Sequence, residues 1–256
     1  MRSFIAFTRK EFTEQFRTGK ITFLAILFVL FGIMNPAVAK LTPWLMEQFA
    51  DTLAGSGMII TEVTVTALDS WTQFYKNIPM ALIAFVLLES SIFTKEYRSG
   101  TLILSLTKGL SRFKVVLAKA FTLSLLWSAA YWLYYGVTYA YTVYYWDNSV
   151  AQNLPLSVVL WWVFGLWVVS LMTLFSTLTA TNTGVLVGTG AVAFGTYFFS
   201  MIPTVAEYLP TTITDGTALV YGLKEPNEYV AALVVTLATG LVAFTLSLII
   251  FNKKQL

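Results

Sequence analysis

Thirteen of the sixteen Lys and Arg residues fall on one side of an alternating series of long apolar runs. Read as membrane spans, the runs cover about 21–41, 78–94, 115–145, 155–180, 184–202 and 229–251. Arg2, Arg9, Lys10, Arg17 and Lys20 precede the first span. Lys95, Arg98, Lys108, Arg112, Lys114 and Lys119 lie between or just inside the second and third, and Lys253 and Lys254 follow the last. Only Lys40, Lys76 and Lys224 fall on the other side. Basic residues in short loops stay cytoplasmic, which places both termini and the 95–114 loop inside the cell. Glu47, Asp51, Glu62, Asp69, Asp147, Glu207, Asp215, Glu225 and Glu228 fall outside; acids weigh little in orientation and only corroborate it. The pattern predicts one all-α, polytopic membrane domain over residues 1–256, with six transmembrane helices.

Composition agrees and excludes several chemistries. The chain is 57% hydrophobic and 11% charged, with mean hydropathy +0.72, where soluble domains carry about 25% charged residues. The net charge of +3 is accounted for by topology and signals no nucleic acid. Without cysteine there is no disulfide framework or thiolate. Without histidine, Ser/His/Asp and Cys/His catalysis and most zinc sites are excluded. No catalytic or metal-binding residue is expected. No phosphate-binding loop exists either: the one Gly-Lys pair, Gly19-Lys20, is followed by Ile21 and has Glu14 where the first glycine belongs.

Residues 1–20 place Met1, Ile5, Phe12 and Phe16 on one helical face with Arg2, Arg9, Lys10 and Arg17 beside and opposite it, the pattern of a helix lying on the inner leaflet. The rival reading of residues 1–39 is a signal peptide ending at Ala37-Val38-Ala39; a head this long, containing Glu11 and Glu14, argues against it. Pro36 is expected to kink span one. Leu45, Phe49 and Leu53, spaced by four and ending at Gly55, suggest a short outer helix.

Span two carries Glu89, the one acid well inside an apolar run. An intramembrane carboxylate is a functional candidate, unless it pairs near the inner end with a residue such as Lys95. Span three exceeds the roughly 30 Å hydrocarbon layer and should tilt, bend near Gly136 or project outward. Its outer half is aromatic. The last rings suit the interface, while Tyr131, Tyr134, Tyr135 and Tyr139 lie deeper and are candidates to line a path for an amphipathic cargo. Gly184 and Gly188 in span five should mark a close helix contact, within the chain by default and between copies as the alternative. Residues 203–228, apolar but broken by Pro203, Pro210, Gly216, Gly222 and Pro226, could dip into the outer leaflet and return.

The 95–114 loop is cytoplasmic by charge yet holds an apolar cluster. Thr101 can cap a two-turn helix that Gly109 ends, and Ser111 can cap the helix of span three. The result is a small helix crosswise beneath the membrane, with Leu102, Ile103 and Leu106 ringed by Lys108 and Arg112. An apolar centre in a polar rim suits a docking surface; the bland alternative is a helix pressed on headgroups.

Glu96-x-x-x-Gly100-Thr101-Leu102, then Leu106, Ser111-Arg112 and Lys119, resembles the signature of type-2 ABC transporter permeases. The amphipathic first helix, the six-span layout and the broken outer segment before span six extend the resemblance over nearly the whole chain. Many members have proline just before the Ser-Arg pair; here Lys108-Gly109-Leu110 stands there, and an altered loop geometry is expected. The resemblance implies that this segment is a coupling helix docking into a cytoplasmic ABC ATPase subunit. It also implies a second permease copy or paralogue, with ATP and Mg bound by the ATPase and no cofactor on this chain. Glu96 would face the positive end of the coupling helix, and Lys108 and Arg112 would make rim contacts.

The expected function is the membrane subunit of an ATP-driven exporter of an amphipathic or hydrophobic cargo such as a peptide or drug, with export taken from the resemblance. A secondary transporter would need more intramembrane carboxylates. A non-transporting membrane partner of an ATPase is the other alternative, and a membrane-embedded enzyme lacks any nucleophile or paired-acid metal motif.

Overall fold

The structure, a computed structural model, describes residues 2–48, 64–107 and 109–254. Among these residues there is no strand. Helix α1 (Arg2–Arg17) leads into α2 (Lys20–Gln48), which continues unbroken through Pro36 and Pro43 and past the apolar run that announced it. Phe49, Leu53 and Gly55, expected in a short outer helix, lie outside the described residues, and Leu45 belongs to α2.

Helix α3 (Ala67–Glu89) starts well before the expected Ile78. The polar residues Asp69, Thr72, Gln73 and Lys76 interrupt hydropathy there, but Ala67, Trp71, Phe74, Tyr75 and Ile78 follow helical spacing and are buried. Asp69 fixes the start by accepting the Thr66 N–H at 2.8 Å. Two short helices follow, α4 (Ser91–Ser99) and α5 (Thr101–Thr107). Helix α6 (Arg112–Tyr145) is 34 residues, about 51 Å at 1.5 Å per residue. It runs on through Gly136 without a break.

Helices α7 (Leu154–Leu178) and α8 (Asn182–Phe199) form a hairpin, and α11 (Val230–Lys253) returns across α7. Between α8 and α11 the chain is broken into α9 (Pro203–Ala206), a 3₁₀ turn at Pro210–Thr214, α10 (Gly216–Val220) and a second turn at Pro226–Tyr229. This segment packs onto α7, α11 and α3. The Trp161 indole donates to Thr214 O at 2.7 Å, and Tyr229 Oη donates to Asp215 O at 2.8 Å.

Five stretches are long and apolar enough to cross a membrane: Lys20–Gln48, Ala67–Ser99, Arg112–Tyr145, Leu154–Leu178 and Pro226–Lys253. Helix α8 has 18 residues, about 27 Å, and is not one of them, because Asn182, Thr183 and its glycines dilute it.

In lipid no hydrophobic force drives helix against helix, so close approach and polar bonds do the work. Both are present. A Cβ on Gly32 of α2 would lie 2.9 Å from Val137 Cβ of α6, and one on Gly165 of α7 would lie 2.0 Å from the Trp127 ring. A Cβ on Gly188, expected at a helix contact, would lie 2.2 Å from the Phe175 ring of α7, so the contact is within the chain. At the centre, Asn35 of α2 donates to Tyr134 Oη and Thr138 Oγ1 of α6, both at 2.9 Å, and accepts from Asn77 Nδ2 of α3 at 2.8 Å. One buried amide thereby joins three spans.

Candidate functional site

At the end of the bundle that gathers the basic residues, the expected short helix is present. Gly100 takes φ 66 and stops α4; Gly109 takes φ 88 and stops α5, its N–H donating to Leu106 O at 3.0 Å. Both are left-handed positions suited to glycine. Ser111 is the extended residue before α6 but makes no side-chain cap bond. Helix α5 is thus a separate rigid piece between two glycine joints.

Its apolar residues divide in a way the sequence did not show. Leu102 is 1% exposed, held against its own chain, and Leu106 is half-buried on the same core. Among the described side chains of α5, Ile103, 47% exposed, is the apolar one that faces outward, beside exposed Thr101. Lys108 lies outside the described residues. Arg112, expected at a docking rim, instead donates from Nη1 to Phe251 O at 3.1 Å and to Lys254 O. It caps the last turn of α11, whose carbonyls lack helical partners. Lys254 does the same for α7, bonding Thr177 O at 2.8 Å and Thr179 O at 3.2 Å.

Glu96, expected to face the amino-terminal end of α5, is buried in a set of ion pairs instead. Lys119, on α6 and 1% exposed, places Nζ 2.9 Å from Glu11 Oε2 and 2.9 Å from Glu96 Oε2, and donates to Ile92 O at 2.8 Å. Glu11 Oε2 and Ile92 O accept two of its protons, and the Glu96 carboxylate adds its charge beside the ammonium. Lys10 also engages Glu96 and lies 3.1 Å from Glu11 and 3.2 Å from Glu14. Burial opposes the Lys10 ammonium, but the Glu96 hydrogen bond and the Glu11 and Glu96 charges outweigh it and raise its pKa. The outer member is Lys95, 2.6 Å from Glu14. Burial pushes the Glu14 carboxyl up; the hydrogen bond from Lys95, with the charge of Lys10, outweighs it and holds the group below its ordinary 4.5.

These pairs give α1 a protein-facing side as well. Phe7, Thr8, Glu11 and Gln15 face the protein, while Ile5 and Phe16 stay exposed. Glu89, fully buried, does not pair with Lys95: Gln15 Nε2 donates to it at 2.6 Å, and Lys20 Nζ lies 3.6 Å away. It is the last residue of α3 and joins it to Gln15 of α1 and Lys20 of α2.

The sequence profile described as ABC-2 family transporter protein matches residues 5–225. The chain belongs to the ABC-2 transporter family. Members are the membrane transport subunit and not the ATPase, and this ABC-2 chain is a multi-pass membrane protein. No curated protein matches it closely enough to add to that. Nor do the described residues of this ABC-2 subunit group three or more metal-ligating side chains.

The deep tyrosines of this ABC-2 subunit are core residues. Tyr131 Oη donates to Val158 O at 2.6 Å and Tyr134 Oη to Phe74 O at 3.0 Å; both side chains are fully buried, and Tyr134 stacks on Phe74 at 4.6 Å. Tyr135 and Tyr139 lie further out, with Trp71 5.9 and 6.4 Å from them. Sequence reading gave no site role to Glu11, Gln15 or Lys20, and named Lys119 among the basic residues and in the family signature without placing it in a buried ion-pair set. A lone lysine inside an apolar run was the available signal.

Proposed function

We propose that this subunit is the membrane half of an ATP-driven exporter and takes its work from a separate cytoplasmic ATPase that docks on α5. One observation carries the reading: α5 is a short helix between two glycine joints, exposing Ile103 and tied through α4 to a buried lysine paired with two carboxylates. The basic end faces the cytoplasm, as the charge distribution directs, with both termini there. Helix α8 completes six spans, and α1 lies at the inner leaflet with Ile5 and Phe16 toward lipid.

A push on α5 passes into α4 across Gly100. It reaches α6 through Glu96 and Lys119, and α1 through Glu96 and Lys10. Charge-assisted bonds are short and directional, so the three helices move together. The end of α3 follows, because Gln15 and Lys20 hold Glu89. A second permease copy, or a relative, completes the transporter. ATP and Mg belong to the ATPase, and the cargo is apolar or amphipathic.

Co-purification tests the docking. Ile103→Asp places a charge in the contact and should abolish association with the ATPase while insertion and folding persist. Unchanged co-purification would overturn the assignment of α5. Leu106 does not serve for this purpose, since an aspartate there also enters the subunit's own core.

A further inference from the structure

Glu89 stands apart from the other buried carboxylates at the basic end of the bundle. The Lys119 ammonium lies 2.9 Å from both Glu11 Oε2 and Glu96 Oε2. The cation beside Glu89 is Lys20, and its Nζ stays 3.6 Å from Oε2. Lys20 bonds elsewhere, donating to Leu88 O at 2.8 Å and to Ser91 Oγ at 3.2 Å. An ammonium facing an ionised carboxylate closes to about 2.7–2.9 Å. Lys20 instead takes the neutral carbonyl of the adjoining residue. The other elements offer no replacement. Helix α7 carries no charged residue. Lys119 of α6 is engaged by Glu11 and Glu96, and Lys95 of α4 by Glu14. Helix α1 brings Lys10, Glu11 and Glu14 to this end, and these are paired among themselves and with Glu96, Lys119 and Lys95.

The oxygens give a second, independent observation. Gln15 Nε2 donates to Glu89 Oε2 at 2.6 Å. The remaining oxygen on each of these two side chains, Glu89 Oε1 and Gln15 Oε1, has no bonding partner and under 1 Å² of accessible surface. Glu96 Oε2 also lacks a hydrogen bond, but the Lys119 ammonium stands 2.9 Å from it. Glu89 Oε1 has no such neighbour. A buried carboxylate charge with one hydrogen bond and a distant cation is costly. Water and larger molecules cannot reach these two atoms, whereas a proton needs no cavity. On Oε1 it turns the carboxyl into a donor, and Gln15 Oε1 is an acceptor without one. A protonated carboxyl and a carboxamide each offer a donor and an acceptor, so the two groups are complementary.

We propose that Glu89 is a proton-binding site: at neutral pH its carboxyl carries a proton on Oε1, donated to Gln15 Oε1, and this uncharged pair joins α1 to α3. Release of the proton leaves a carboxylate that Lys20 alone is placed to approach. Lys20 must then give up Leu88 O, so one proton selects between two bonding patterns at the joint of α1, α2 and α3. A cavity of about 30 Å³ lined by Gln15, Lys20, Ser91 and Lys95 lies alongside. It is large enough for one water and gives the proton a way in and out past Gln15.

The test is thermal unfolding of the full-length protein in detergent as a function of pH, wild type against Glu89→Gln. In the unfolded chain a glutamate releases its proton at about 4.3. Above that pH the folded subunit holds one proton more than the unfolded chain, so its stability falls as pH rises. Glu89→Gln does not titrate and keeps an amide donor in place of the proton. Its Tm minus that of wild type should therefore rise from about pH 4.5 to about pH 7, equivalent to about tenfold in the folding constant per pH unit. An ionised Glu89 paired with Lys20 gives the opposite sign, with wild type ahead at neutral pH and the gap closing in acid. That sign, or a flat difference, would overturn the proposal. Infrared spectra supply a readout that does not depend on the stability of Glu89→Gln. At neutral pH the wild type should show the carbonyl band of a protonated carboxyl. The band should persist in Lys20→Met and move in Gln15→Met, which removes its acceptor. A wild-type spectrum without the band, or a band indifferent to Gln15→Met, would equally overturn the proposal. Neither readout uses the ATPase or a cargo, so the result stands apart from the docking assignment of α5.

Discussion

Replacing Lys119 by methionine removes one charge from a place where almost no water reaches. Lys119 Nζ lies 2.9 Å from Glu11 Oε2, 2.9 Å from Glu96 Oε2 and 2.8 Å from Ile92 O. Methionine fills much of the volume but offers no donor. Breaking a buried pair by deleting one partner costs about 3–5 kcal/mol. Lys10 still contacts both carboxylates, which argues for the lower end, about 3 kcal/mol. For a chain of this size that amounts to a fall of about 6–12 °C in apparent Tm, read by size-exclusion chromatography after heating in detergent. Lys95→Met is the control, because the Lys95–Glu14 pair is largely exposed and such pairs contribute about 0.2–1 kcal/mol. Adding Glu11→Gln to Lys119→Met should recover part of the loss, since one carboxylate with too few partners becomes neutral. Lys119→Met melting together with Lys95→Met would refute the reasoning, because Lys119 could not then be the buried hub of α1, α4 and α6.

Three further outcomes follow from the same geometry. Gly165→Ala should destabilise by about 1–3 kcal/mol, because its Cβ would lie 2.0 Å from the Trp127 ring, whereas Gly195→Ala, with nothing within 4 Å, should be neutral in the same melting assay. The Glu14 carboxyl titrates below its ordinary 4.5, so its pairing with Lys95 stabilises fully above that pH and is lost as pH falls through the folded value. The small Tm gap between wild type and Lys95→Met should accordingly hold from neutral pH to about 5 and close in stronger acid; a gap that widens in acid would contradict the sign. In reconstituted vesicles, Ile103→Asp should abolish ATP-dependent transport without lowering Tm, and a parallel loss of Tm would show that Ile103 serves the fold.

Much of this architecture was legible because a bilayer imposes it. Apolar length announced α2, α6, α7 and α11, and Thr101 and Gly109 bounded the short helix along the chain, Thr101 proving to be its first residue. The amino-terminal half of α3 was not legible by hydropathy, since Asp69 to Lys76 alternate with buried rings and average to polar. Nor was the inward face of α1. Phe12 and Phe16 drew attention to the lipid side, while the stripe of Thr8, Glu11 and Gln15, spaced three and four apart, carried the protein contact. The partners of Arg112 and Lys254 were hidden for another reason: the helix carbonyls that both bond are brought close only by the fold. That Tyr131 and Tyr134 are buried while Tyr139 is exposed was not legible, because depth along α6 is readable from sequence and rotation about it is not.

The chain has no cysteine, which makes the decisive measurement direct. Ile103→Cys should react with a membrane-impermeant maleimide in inside-out vesicles, not in intact cells, and adding the ATPase subunit should shield it. Reaction from the outside of intact cells, or reaction unaffected by any ATPase that supports transport, would contradict the claim that α5 receives work from a cytoplasmic motor.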